Sequence, residues 1–269
     1  MIINGQVGEL IHAKDRGFTY GDGVFRSMLL HEGKINLWPQ HFNKLKHDCI
    51  SLGINCPSIK ILAAELDQLI ADQPEGVAKI VITRGIGTRG YSPISESNST
   101  RVISISPSPQ YPDFFSTNGV SIYICHLRLG HQPRLAGIKH LNRLENVLAA
   151  AEWQDPGIAE GLLLDEEGHI IEGTRSNLFL VKNGNLYTPD LSRCGVAGLQ
   201  RDRVLEWATQ NGVSTKITNL FLDDLLAADE AFMVNSVIGL WPIREMSGFK
   251  RDSFPISHLI QNWLNNVLP

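Results

Sequence analysis

A chain of 269 residues, 43% of them hydrophobic, has enough apolar side chain to bury one large core or two modest ones. A net charge of −4 with no dense run of Lys and Arg argues against nucleic acid as the main partner and leaves small molecules as the expected one. No apolar run approaches the ~18 residues of a membrane span, and Met1 to Val7 lacks a basic region ahead of a long apolar stretch, so neither membrane anchorage nor a signal peptide is expected. Cys49, Cys56, Cys125 and Cys194 show no C-x-x-C spacing, which points away from a disulfide framework or a cysteine metal site and toward a reducing, cytoplasmic setting.

In chain order, Ile2-Ile3-Asn4-Gly5-Gln6-Val7 reads as a short hairpin turning at Asn4-Gly5. The stretch from Asp15 to Gly23 holds three glycines and is expected to run close to a neighbouring backbone before a strand from Val24 to Leu30. Helices are expected from His41, with Leu45, Ile50 and Leu52 as apolar support, and from Ile59 to Ala71. A strand from Val77 to Thr83 ends in a glycine-rich loop carrying Arg84 and Arg89, and arginine there can grip a carboxylate at two points. With no helix opening directly after it, this Gly-x-Gly fails the dinucleotide fingerprint. After a strand from Arg101 to Ser106, three prolines at 107, 109 and 112 mark the best candidate linker, with the boundary near 107–118. The expected division is a smaller N-terminal α/β domain over 1–110, a linker over 111–118 and a larger C-terminal domain over 119–269 that carries Lys139.

Beyond the linker, a strand from Val120 to Ile124 leads through His126, Arg128 and His131 to Ala136-Gly137-Ile138-Lys139-His140. Leu141, Leu144, Val147, Leu148 and Ala151 follow helical spacing, which predicts one helix face committed to a core and Lys139 held just ahead of the first turn. The residues alone also allow an ordinary solvated lysine, because positive charge at a helix start is only mildly unfavourable. Two hairpins are expected, about Glu166-Glu167-Gly168 and about Asn183-Gly184, so the sheet is partly antiparallel. Gly198 opens a helix from Leu199 to Gln210 whose first amides suit an anion. A strand from Glu230 to Ser236 and a helix from Ile256 to Val267 complete the chain.

Four stretches, in this order, resemble those of the fold-type IV pyridoxal-phosphate enzymes: Asp15 to Phe25, Lys139 to Leu148, Glu172 to Phe179, and Gly198-Leu199-Gln200-Arg201. That group contains branched-chain aminotransferases, D-amino-acid aminotransferases and 4-amino-4-deoxychorismate lyases, and the run from Leu129 to Glu145 is most similar to the lyases. The resemblance covers nearly the whole chain. It implies an α+β fold of two α/β domains with mixed, largely antiparallel sheets, a homodimer, and pyridoxal 5'-phosphate as cofactor. For the lyases it implies elimination of pyruvate from aminodeoxychorismate to give 4-aminobenzoate, a folate precursor. Lys139 is then the amine that carries the coenzyme, and Glu172 the acid facing its ring nitrogen. Leu199 and Gln200 offer backbone amides to its phosphate, with Lys44 and Ser236 as further donors. Arg89 and Tyr91 fall on the substrate carboxylate, and Phe25 on the substrate side. Lys44 stands where many relatives have arginine, which keeps the charge and loses the two-point fork. Arg26-Ser27 stands where aminotransferases of this fold commonly carry glutamate, which disfavours a transaminase, the alternative reading. The roles of Arg26, His126, Arg128 and His140 stay open in the sequence.

Overall fold

The computed structural model describes residues 1–93 and 98–266, which fold as two compact units. The first comprises Met1–Pro109 together with Ile138–Asn142. Its hairpin β1 (Ile2–Ile3) and β2 (Gln6–Val7) is followed by α1 (Arg16–Tyr20), β3 (Gly23–His31), β4 (Lys34–Ile35), α2 (Trp38–Ser51), α3 (Ile59–Ile70), β5 (Gly76–Thr83) and β6 (Thr100–Ser106). The strands make one sheet in the order β2-β1-β6-β5-β3-β4, each neighbour antiparallel to the next.

Helices α2 and α3 cover this sheet through Leu45, Cys49, Leu62 and Leu66, which meet Val24, Met28, Ala78, Ile80, Ile82 and Ile103 in one core. Helix α2 starts earlier than His41 because Pro39 is preset for a first turn. The Asp15 to Gly23 stretch hides a short helix, α1, whose first amides are capped by Asp15 accepting from the Gly17 N–H. At Gly23 a Cβ would stand 2.7 Å from the Ile82 carbonyl oxygen and 2.7 Å from Leu141 Cδ1, so only glycine lets the returning segment pass.

The second unit comprises Gln110–Gly137 and the chain from Arg143 onward. Its elements are α4 (Phe114–Thr117), β7 (Val120–Leu129), α5 (Leu144–Ala150), β8 (Ile158–Asp165), β9 (Ile170–Gly173), β10 (Asn177–Lys182), β11 (Asn185–Pro189), α6 (Leu199–Gln210), β12 (Thr215–Thr218), α7 (Leu222–Leu226), β13 (Glu230–Asn235), β14 (Gly239–Met246), β15 (Phe249–Lys250) and α8 (Pro255–Asn266). They build a nine-stranded sheet in the order β12-β11-β10-β13-β14-β7-β8-β9, with β15 added beside β14. Most of its pairs are antiparallel, and β11 with β12, β14 with β7, and β7 with β8 are parallel.

Both faces of this sheet are covered. Leu178, Leu180, Ala231 and Met233 enter one core with Trp241 and Phe249, while their alternate neighbours Phe179, Val181, Phe232 and Val234 meet Val204, Trp207, Ile260 and Leu264 of α6 and α8. Burial on both sides explains why these strands read as continuous apolar runs.

Three expectations meet a different outcome. The segment 111–118, expected as a linker, contains α4, because Tyr111 and Phe115 pack edge-on against Trp241 at 4.8 and 5.1 Å between ring centroids. The chain through Lys139 packs with the first unit rather than with the C-terminal domain, since Lys139 and Leu141 bond to β3 and the Lys139 N–H to Asp48 of α2. That extended stretch delays α5 to Leu144, and the face expected in a core is open: Leu144, Val147 and Leu148 are 68%, 61% and 53% exposed. Val267, the expected last residue of the final helix, lies outside the described residues. No helix among the described residues is long and apolar enough to cross a membrane.

Phe179 and Phe232 are fully buried and stacked, with centroids 5.2 Å apart. Phe232→Ala is expected to cost about 3–5 kcal/mol of unfolding free energy, the usual range for a large core deletion. Denaturant unfolding measures it, and a loss under about 1 kcal/mol would contradict this packing.

Candidate active site

Lys139 is held by its backbone. Its carbonyl accepts the Phe25 N–H at 3.0 Å, and the Leu141 N–H reaches the Gly23 carbonyl at 2.9 Å, so the segment runs antiparallel to the start of β3. Its own N–H donates to Asp48 Oδ2 at 3.2 Å. Ile138, just before it, is buried in the α2/α3 core. The side chain is half-buried, and Nζ stands over the Phe25 ring at 4.6 Å, a cation–π distance. Lys44 is also half-buried and lies one helical turn before Asp48 on α2.

The sequence did not single out Asp48 and left the role of Arg26 open. Both are buried, 1% and 3% exposed, and Arg26 Nη2 donates to the same Asp48 oxygen that accepts from Lys139. On the buried face of α2, His41 is pushed down to about 3 by burial, helped by the Arg26 charge, and is therefore neutral at working pH. The only available signal was position: Asp48 shares an apolar helix face with Leu45 and Cys49, where an unpaired carboxylate is costly.

Arg84 does not serve an anion grip. Its Nε and Nη2 bind the two oxygens of Asp22 at 2.7 and 3.0 Å, and its remaining donors take the Gly53 and Leu52 carbonyls. Burial pushes the Asp22 carboxyl up, but hydrogen bonds from Arg84 and Arg16 outweigh it and hold Asp22 below the ordinary range. Arg89 and Tyr91 both have exposed side chains, Tyr91 at 85%. The loop beneath them is pinned by Arg16, whose Nη1 and Nη2 donate to the Gly90 and Tyr91 carbonyls.

In the second unit, Glu172 lies in β9 and is buried at 4% exposure. Its Oε2 accepts the Val196 N–H at 2.9 Å and faces Asn177 Nδ2 at 3.5 Å. Asn177 also donates to the Val196 carbonyl at 2.8 Å and accepts the Gly198 N–H at 3.0 Å, so one amide ties the acid to the residue that opens α6. A Cβ on Gly198 would fall 2.4 Å from Asn177 Oδ1. No side chain caps this helix start, and Leu199 and Gln200 of its first turn are both buried. Nearby, burial lowers Arg143, opposed by the charges of Glu172 and Glu145. Ser236 is half-buried in the turn from β13 to β14, shaped by Asn235 Oδ1, which accepts the Val237 and Ile238 N–H groups.

Of the residues left open, Arg128 spends Nη1 on the Cys125, His126 and Leu127 carbonyls, and His140 is buried in the bridge to Val24.

A pyridoxal-type coenzyme asks for an amine, an acid for its ring nitrogen and amides for its phosphate. Each unit by itself offers donors of this kind: in the first, Lys139 has a fixed backbone; in the second, Glu172 is buried yet hydrogen-bonded by amides, and the start of α6 lacks a side-chain cap while glycine keeps its backbone close.

Comparison with known proteins agrees with this chemistry. The family model for amino-transferase class IV matches residues 23–246. The aminodeoxychorismate lyase of Vibrio harveyi is 36% identical, covering 98% of each chain. The crystal structure of 4-amino-4-deoxychorismate lyase from Pseudomonas aeruginosa superposes with a TM-score of 0.95 at 41% identity over 99% of this chain and 98% of that one. The Escherichia coli branched-chain amino acid aminotransferase shares the fold at a TM-score of 0.87 and 22% identity, covering 99% and 93%. With Phe25, Lys44, Lys139, Glu172 and the opening of α6 all inside the matched span, the chain belongs to the class IV amino-transferase family.

Proposed function

We propose that this protein is a pyridoxal-phosphate-dependent aminodeoxychorismate lyase, which splits 4-amino-4-deoxychorismate into pyruvate and 4-aminobenzoate. The observation that carries the reading is near-full-length similarity to lyases at 36% and 41% identity, in a chain whose Lys139 backbone is locked in place. When bound, the coenzyme supplies an electron sink for the carbon that loses its proton.

The chain's own residues do the rest. Lys139 would hold the coenzyme through Nζ, and the same nitrogen would move protons. It takes one from the ring carbon bearing the substrate nitrogen and returns one to the methylene carbon that becomes the pyruvate methyl. No other reagent is needed, because the two products together contain the atoms of the substrate, and the ring left behind becomes aromatic. Glu172, fixed as a hydrogen-bond acceptor by Val196 and Asn177, holds the proton on the coenzyme nitrogen. Leu199 and Gln200 amides, Lys44 and Ser236 serve the phosphate. Arg89 and Tyr91 hold a substrate carboxylate from their exposed loop, and Phe25 borders the substrate.

An aminotransferase reading has support of its own, since a branched-chain-amino-acid aminotransferase assignment in Methanocaldococcus jannaschii, itself unproven, is 31% identical over 87% of this chain. We further propose a cytoplasmic homodimer. Its support is the open apolar face of Leu144, Val147 and Leu148 and four cysteines without a disulfide.

Purified protein given aminodeoxychorismate is expected to release pyruvate and 4-aminobenzoate in equal amounts; amino transfer to a 2-oxo acid with no 4-aminobenzoate would select the aminotransferase instead. Lys139→Ala should lower turnover by on the order of 10³-fold or more, and Glu172→Gln by on the order of 10²-fold, at unchanged melting temperature. Light scattering should give twice the chain mass, and Val147→Glu with Leu148→Glu should halve it. A wild-type monomer would refute the dimer.

A further inference from the structure

Cys49 and Cys56 are free thiols of the first unit and take no part in the site described above. The end of α2 brings them together. After Ser51 the chain reverses at Gly53, whose φ of 64° lies in the left-handed region that glycine adopts without strain. The Ile54 N–H donates to the Cys49 carbonyl at 2.8 Å and the Gly53 N–H to the Ile50 carbonyl at 2.9 Å, the paired bonds of a Schellman ending. Arg84, just after β5, clamps this turn by donating to the Leu52 and Gly53 carbonyls at 2.7 and 2.6 Å. Cys56 therefore returns to the core that holds Cys49, and the Cys49 S–H donates to the Cys56 sulfur.

The paired thiols are not equivalent. Cys49 is 0% exposed, whereas Cys56 is half-buried and lines a cleft with Asn55, Pro57, Ile61 and Thr100. The hydrogen bond to Cys56, burial and the Cys56 and Asp48 charges push the Cys49 thiol far up, against the Arg26 charge. The hydrogen bond from Cys49 holds the Cys56 thiol below its usual range, outweighing burial with help from the Lys46 charge. By contrast, Cys125 and Cys194 are each pushed up to about 12, chiefly by burial. A reachable thiolate in contact with a second, protonated thiol has what oxidation to a disulfide requires: a nucleophile that meets the oxidant and a partner that closes the bond.

We propose that Cys49 and Cys56 form a reversible oxidation site, at which a hydroperoxide converts the paired thiols to a disulfide across the end of α2. The Cys56 sulfur attacks the outer peroxide oxygen: an S–O bond forms, the O–O bond breaks, and an alcohol leaves with the Cys56 proton, or water when the oxidant is hydrogen peroxide. The Cys49 sulfur then attacks the Cys56 sulfur, the S–S bond forms, the S–O bond breaks, and hydroxide leaves as water with the Cys49 proton. The thiol pair gives up two electrons and the peroxide takes them. A dithiol reductant reverses the change by exchange. The site stands apart from the lyase reading, because thiols are counted and not turnover.

The test treats the untagged full-length enzyme, carrying its coenzyme, with hydrogen peroxide, blocks remaining thiols with iodoacetamide, and maps non-reduced peptides by mass spectrometry. A cross-linked pair of peptides containing Cys49 and Cys56, lighter by the hydrogens of both thiols, is expected before any change at Cys125 or Cys194. Dithiothreitol should restore both thiols. Cys49→Ser should leave Cys56 as a sulfenic acid that dimedone captures, and Cys56→Ser should leave Cys49 unoxidised. If a variant does not fold, the wild-type map decides by itself. Every thiol intact after treatment, Cys56 taken on to the sulfinic acid beside a free Cys49, or earlier oxidation of Cys125 or Cys194 would overturn the proposal.

Discussion

An amine at the end of four flexible methylene links is useful in catalysis only if the backbone below it is fixed. Both backbone polar groups of Lys139 are spent within the first unit, the carbonyl on the Phe25 N–H and the N–H on Asp48. Neither belongs to a regular strand ladder or a helix, and so the anchoring comes from long-range partners: β3 more than a hundred residues earlier, and α2 ninety-one residues earlier. Much else in that unit follows from this requirement. Gly23 lacks a side chain so that Leu141 can pass, Ile138 is sunk in the α2/α3 core, and a buried ion pair is kept where an apolar pair would be easier to accommodate.

The second unit solves a different problem by similar means. A buried carboxylate is tolerable only when its oxygens are hydrogen-bonded, and Glu172 obtains this from the Val196 amide and Asn177. Asn177 is the economical part of the arrangement, because the same side-chain amide also accepts from Gly198 and so fixes where α6 begins. The acid and the start of α6 are thereby coupled through one residue on β10, in a sheet covered on both faces.

Legibility in the sequence followed the range of the forces involved. Hairpins at Asn4-Gly5 and Asn183-Gly184, the helix Leu199–Gln210 and strands β5 and β13 depend on turn chemistry and local apolar periodicity, and all stand where expected. The stretch after Lys139 misled because helical spacing of Leu141, Leu144, Val147 and Leu148 says nothing about what covers that face, and in one chain three of the four are exposed. Proline content around Pro107 to Pro112 marked the end of β6 correctly but hid the packing of Tyr111 and Phe115 on Trp241. Arg84 looked like a ligand for an outside anion, and its partner is Asp22, sixty-two residues away in the chain. Asp48 was invisible for the same reason: its importance lies in Arg26 and Lys139, which only the fold brings to it. Asn177, by contrast, lay inside a quoted stretch without a role.

The loop proposed to hold a substrate carboxylate is exposed in the single chain, so the firmest commitment of the proposed site is its lysine rather than its substrate contacts. Borohydride reduction of the enzyme carrying its coenzyme, followed by proteolysis and mass spectrometry, addresses that commitment directly. One modified peptide is expected, spanning Lys139 and heavier by the reduced pyridoxyl phosphate group. Label on any other lysine, or none on Lys139 in protein that still turns over substrate, would contradict it.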